Sequence, residues 1–137
     1  MHLRAEWLLR DRLAWGLFES TTGRLLGEVA LVHLDWTGRV FELAYWLRTD
    51  AEGYGYMREA VAVATGLAFE DLGANRVAVR VEADNVRSRR VPERLGYVLE
   101  GTLRRDHLGL DGEPTDVLVF ALTPADYDRL EWGATTG

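Results

Sequence analysis

Gly53 and Gly55, one residue apart at the mouth of a long apolar-periodic stretch, are the positions in this 137-residue chain best suited to holding a ligand. Glycines in such a turn let backbone N–H groups approach a ligand closely, and the helix start adds partial positive charge, a combination that suits a diphosphate. The same pair also serves as a plain turn or cap. Two dinucleotide patterns do not fit. A Rossmann fingerprint needs a third glycine where Arg58 stands, and a P-loop needs a lysine, of which the chain has none. Further on, Asn85 and Ser88 are spaced as a helix N-cap and its first-turn neighbour. Arg87, Arg89, Arg90 and Arg94 crowd the same short segment. Arginine matches phosphate bidentately, so one or two of these four could hold phosphates, with Arg90 taken as the candidate, although a solvated helical face explains the same residues. With no cysteine, thiolate zinc sites, disulfides and a cysteine nucleophile are excluded. His2, His33 and His107 are dispersed and make no ligand pattern, so no metal is expected.

The elements that must position these residues read as a mixed α/β order. His2 to Asp11 has Leu3, Trp7 and Leu8 near a helical spacing, which predicts a short helix. Strands follow over Trp15 to Glu19 and Leu25 to Leu34, joined through Thr21-Thr22-Gly23, and a turn at Asp35 to Gly38 leads into a strand from Val40 to Arg48. These three are expected to be adjacent and antiparallel. From Gly55 to Leu72 apolar residues recur at three and four, an amphipathic helix that Gly73 stops. Arg76 to Val81 alternates strictly as a strand, expected to run parallel to the strand before the helix. A short helix from Val86 to Arg94, a strand from Tyr97 to about Arg105, a turn at Asp111-Gly112 and a strand from Val117 to Leu122 complete the sheet. Thr123 and Pro124 are the N-cap and first residue of a terminal helix.

A hydrophobic content of 47% fits one domain over residues 1–137, too short for two. No apolar run approaches the roughly 20 residues of a membrane helix, and Arg4 and Glu6 stand where a signal peptide would be apolar, so a cytoplasmic protein without a membrane partner is expected. The net charge of −6 argues against a nucleic-acid partner and suits a cationic or amine-bearing one.

Taken in order, the strand Leu43-Ala44-Tyr45-Trp46-Leu47-Arg48, the turn Gly53-Tyr54-Gly55-Tyr56-Met57 and the segment from Asn85-Val86-Arg87-Ser88 to Leu95-Gly96-Tyr97 resemble the RimJ/RimL-type branch of the GNAT N-acetyltransferases. That resemblance implies a mostly antiparallel mixed sheet with a splayed strand pair and flanking helices, and acetyl-coenzyme A as co-substrate. The family's usual Gln or Arg is replaced here by Asp50, while the branch's own pattern is met by Gly53, Gly55, Tyr56, Glu59 and Ala60. The resemblance implies a bulged fourth strand in which Trp46, Leu47 and Arg48 admit the pantetheine arm. It likewise implies that Gly53, Tyr54, Gly55, Tyr56 and Met57 hold the diphosphate and that Asn85 lies near the thiol. The family's tyrosine acid falls at Pro92, and the branch's serine, here Ser88, becomes the candidate proton donor.

The acceptor amine must be neutral to attack, so a base or a water chain must take its proton. Strand alternation puts Glu42, Ala44 and Trp46 on one face, making Glu42 the leading carboxylate. Glu28 and His33 are rivals, followed by Asp106 and His107, and each suits a plain surface role as well. Relatives of this branch begin with a strand and two helices before the hairpin, which starts here near Leu13. A short start or a fragment is expected, with a homodimer supplying the missing wall. The expected reaction is direct acetylation of a primary amine, a protein N-terminus of the ribosomal type first. A polyamine or antibiotic amine is the alternative, as is a non-catalytic coenzyme A-binding domain.

Overall fold

Alternating apolar residues favour strands, and the computed structural model gathers seven of them into one sheet; residues 1–9 and 12–134 are described. The strands are β1 (His2–Leu9), β2 (Arg12–Phe18), β3 (Leu25–Asp35), β4 (Val40–Leu47), β5 (Arg76–Glu82), β6 (Val98–Leu108) and β7 (Pro114–Leu122), in the order β1-β2-β3-β4-β5-β7-β6. Every pairing is antiparallel except β4 with β5. That parallel pair needs a crossover, supplied by α1 (Tyr56–Glu70) after a single 3-10 turn at Thr49–Ala51. The short helix α2 (Val86–Leu95) follows β5, and α3 (Pro124–Asp128) and α4 (Glu131–Ala134) follow β7.

The core lies between α1 and the middle of the sheet. Met57, Ala60, Val61, Ala64 and Ala68 lie on the buried face of α1, in one core cluster with Leu31, Phe41, Leu43, Val77 and Val79. Burying a side chain such as Phe41, 1% exposed, stabilises by about 1.5–3 kcal/mol. Thr65 is polar but fully buried, and it is satisfied: its hydroxyl bonds the Val61 carbonyl at 2.7 Å and the Tyr97 hydroxyl at 2.6 Å. Burial pushes the Tyr97 hydroxyl well above its ordinary pKa, so it stays protonated. This link ties the end of α2 to α1. From the other side, Trp132 Nε1 donates to the Leu95 carbonyl at 3.0 Å, and Trp132 packs edge-on against Tyr127, which stacks on Phe69. The N-cap expected at Thr123 is present, and the structure completes it as a capping box with Asp126 as its acid.

The first segment differs from expectation. His2–Leu9 is a strand paired with β2, from His2 opposite Phe18 to Leu9 opposite Arg12, and not a helix; Arg10 and Asp11 lie outside the described residues. The spacing of Leu3 and Trp7 satisfies a period of two as well as one of 3.6, and strand pairing decided between them. β6 also runs three residues beyond its expected end at Arg105. The bulge expected in the fourth strand is absent over Glu42 to Leu47, where the ladder to β3 is continuous. The irregularity lies on β3 instead, between Val32 and Asp35, where His33 takes a positive φ of 50°.

Candidate active site

The opening in the sheet arises because β4 and β5 stay together for only four residues. Val40 to Leu43 pair with Arg76 to Val79, after which β5 continues beside β7 and β4 remains bonded only to β3. Among the described residues no strand pairs with Ala44 to Leu47 on that side, so they present strand N–H and C=O groups, the arrangement by which an extended amide ligand adds to a sheet. The first turn of α2 faces the gap. Tyr45 bridges it, donating its hydroxyl to the Ser88 carbonyl at 2.8 Å. Burial raises the Tyr45 hydroxyl far above its ordinary pKa, partly offset by that bond, so it too remains a donor.

At the far end of the gap stands the start of α1. Gly53 and Gly55 take φ of 90° and 77°, left-handed values that favour glycine, and Gly55 caps the helix with no side-chain hydrogen bond. The first-turn N–H groups have no intrahelical acceptor and the helix dipole adds positive character, so this end favours an anion. Asp50, which stands in place of the family's usual Gln or Arg, anchors the preceding turn. It accepts from Arg24 at 2.9 Å and Arg48 at 3.3 Å, and the Arg24 bond holds its carboxyl below the usual range.

Gap and turn form a cleft of about 720 Å³. Of the residues singled out from sequence, Trp46, Leu47, Gly53, Gly55, Tyr56, Met57, Asn85, Ser88 and Arg90 line it. Arg48 and Tyr54 do not. The Arg48 side chain turns to Asp50, and Tyr54, 69% exposed, stacks on Tyr56 at 5.3 Å. Arg58, Arg87 and Arg94 join Arg90 in the lining, a local cationic wall in an acidic chain. Arg87 is engaged by Glu52 across the cleft mouth. Glu52, Arg58 and the bridging role of Tyr45 were not picked out from sequence. Two of them adjoin the glycine turn, a usable signal, whereas the Tyr45 bond joins residues 43 apart and has no local signature.

A second hollow of about 320 Å³ opens beyond β4, lined among others by Glu42, His33, Arg80 and Glu82. It shares Tyr45, Asn85 and Ser88 with the first, so the two meet at the N-terminus of α2. Asn85 caps that helix, its Oδ1 accepting from the Ser88 N–H at 3.2 Å. Glu42 is bonded to His33 and lies 3.8 Å from Arg80, which holds Asp106 at 2.9 Å; His107 bonds Glu82 at 3.0 Å. Glu28 is spent on Arg12 at 2.5 Å and lines neither hollow. The geometry thus offers an anion-holding turn, an edge for an amide-bearing arm, a junction, and a second hollow with carboxylates.

Comparison with known proteins identifies the family and the fold. The family model described as an acetyltransferase (GNAT) domain matches residues 2–98. A Bacillus subtilis (strain 168) protein named "Putative ribosomal N-acetyltransferase YdaF" is 36% identical over 106 residues, covering 77% of this chain and 57% of its own length. The chain therefore spans little more than half of that relative. The crystal structure of a "Probable acetyltransferase" superposes with a TM-score of 0.80 at 32% identity, covering 86% of this chain and 65% of the other. A Vibrio cholerae spermidine N-acetyltransferase, SpeG, reaches 0.79 at 20% identity, with 88% and 70% covered, a likeness of fold only.

Proposed function

The chain belongs to the GNAT acetyltransferase family, and on that premise we propose that it transfers an acetyl group from acetyl-coenzyme A to a primary amine. The observation that carries the proposal is the meeting of the two hollows at Tyr45, Asn85 and Ser88, one suited to the donor and the other to the acceptor. The residues present fit the donor. The uncapped start of α1 with Gly53 and Gly55 suits its diphosphate, the free edge of Ala44 to Leu47 suits its amide arm, and Arg90 with its neighbours suits its remaining phosphate. When bound there it supplies the acetyl thioester. Ser88 stands at the junction to hydrogen-bond the departing thiolate, a good leaving group because an ordinary thiol has a pKa of about 8.5. Glu42 supplies negative charge that draws in the ammonium form of the acceptor.

The preferred acceptor is a protein N-terminal amine. A free α-amino group has a pKa of about 7.7–8.0 and needs little help to be neutral, whereas a lysine-type amine, at about 10.4, needs more. The name of the Bacillus relative supports the same choice. A thiol-release assay over N-terminal peptides, polyamines and aminoglycosides tests it: peptides are expected to turn over fastest. A polyamine preference would reassign the acceptor, and coenzyme A binding without turnover on any amine would reduce the chain to a binding domain. Only Arg10 and Asp11 separate β1 from β2, too few residues for the two helices that wall the acceptor side in the resemblance. A second copy supplying that wall is accordingly part of the proposal. Full transferase activity from a monomer in sedimentation would remove it.

A further inference from the structure

On β3, alternation places Leu31 on the core face and Val32 on the opposite one, directly across from Glu42. An unbroken strand would return His33 to the core face. The irregularity between Val32 and Asp35, with His33 at a positive φ of 50°, instead brings its ring to Glu42, whose carboxylate it bonds through Nδ1. His33 is therefore held in an unfavoured backbone conformation, is 77% exposed, and lines the hollow that Glu42 lines. Strained backbone beside a cleft is a recurrent mark of a functionally aimed side chain.

Resting on the transferase reading above, we propose that His33 Nε2 is the base that takes the acceptor's proton, with Glu42 as the residue that positions it. In the neutral pair, Nδ1–H donates to the Glu42 carboxylate, which fixes the tautomer and leaves the Nε2 lone pair free. As the amine nitrogen bonds the acetyl carbon and the thiolate departs, the amine's proton passes to Nε2. The ring becomes an imidazolium beside an ionised carboxylate, and Nε2–H then returns the proton to bulk water, which the exposed ring reaches directly. The other oxygen of Glu42 faces the Arg80 guanidinium at 3.8 Å, so the open route for the proton is through the exposed ring. The remaining charged groups around the hollow are already paired across β5 and β6: Arg80 with Asp106, and Glu82 with His107. On β3 itself Glu28 is held by Arg12, and Asp35 accepts from the Gly38 N–H.

The test is a pH–rate profile of thiol release for wild type, His33→Gln, His33→Ala and Glu42→Gln, with acetyl-coenzyme A affinity measured in each. His33→Gln keeps a donor for Glu42 but cannot titrate. It is expected to lose about 10²-fold or more in kcat/KM for the amine and to lose the acid limb of the profile, with cofactor affinity unchanged. Free imidazole is expected to restore His33→Ala in proportion to its concentration, which a merely structural role would not allow. Glu42→Gln is expected to keep an acid limb at a displaced position. His33→Gln with wild-type rate and limb, or His33→Ala indifferent to imidazole, would overturn the assignment and leave the transferase reading standing. A wild-type protein that acetylates no amine would overturn both.

Discussion

Replacing Gly27 by alanine probes the wall that shapes the donor cleft. A β-carbon there would sit 2.3 Å from the Trp46 carbonyl oxygen and 3.0 Å from the Leu47 Cα, both backbone atoms that cannot swing aside. Gly27 is opposite Leu47 in the β3–β4 ladder, and the neighbouring Arg48 N–H donates to the Leu26 carbonyl at 2.8 Å. Restoring an ordinary C···O separation of about 3.3 Å requires the strands to part by about 1 Å. Overpacking of this kind costs about 1–3 kcal/mol, and losing a ladder bond adds about 1 kcal/mol. A loss of about 2–4 kcal/mol in a domain of this size lowers Tm by on the order of 10 °C. Because the displaced segment is the edge of Ala44 to Leu47, acetyl-coenzyme A affinity should also fall at temperatures where the variant is folded. The comparison is Gly101→Ala on β6, where a β-carbon meets nothing within 4 Å and Tm should move little. Paired thermal melts with a calorimetric titration read both. If Gly27→Ala melts within a degree of wild type and binds as well, the strand spacing described here does not govern the cleft.

Gly55→Glu places a carboxylate at the anion end of the cleft and a non-glycine residue at a φ of 77°, at a cost of roughly 1–2 kcal/mol, so the fold should survive while coenzyme A binding disappears; circular dichroism with calorimetry checks this, and unchanged affinity would remove the turn from the site. Ser88→Ala should lower turnover by about tenfold, the worth of one hydrogen bond to a charged group, with little change in cofactor affinity; steady-state thiol release is the measurement. For Asp126, the backbone bond from Thr123 holds the carboxyl below its ordinary range, so its contribution is fully present above the unfolded-state pKa and is lost as pH falls through the lower folded-state pKa. Asp126→Asn should therefore melt lower than wild type at neutral pH and lose less stability on acidification below about pH 4, as melts across pH would record.

Local patterns carried most of the architecture. α1 was readable from its period of apolar residues, β5 from strict alternation, and the start of α3 from Thr123 and Pro124, because each depends on neighbours within a few residues. β1 was not readable as a strand because Leu3 and Trp7 serve either period, and only pairing with β2 separates the two. The donor side was legible for the same reason as α1: the glycine turn and the Asn85 cap are short-range features. Arg48 and Tyr54 belonged to those motifs, yet their side chains were drawn away by Asp50 and Tyr56, contacts that motif position does not reveal. The acceptor side depends on β3, β4, β5 and β6 converging. Glu42 could be named from alternation, but its bond to His33 runs against alternation and arises from a bulge, and Arg80 and Glu82 become relevant only once β5 is placed beside β4.

Whether the gap between β4 and β5 receives acetyl-coenzyme A is decided by a crystal structure of the complex. The amide arm is expected along Ala44 to Leu47, the diphosphate at the N–H groups following Gly55, and the thioester beside Ser88, where the two hollows join. A ligand bound elsewhere on the chain, or a gap that stays closed to it at saturating concentration, would refute the assignment.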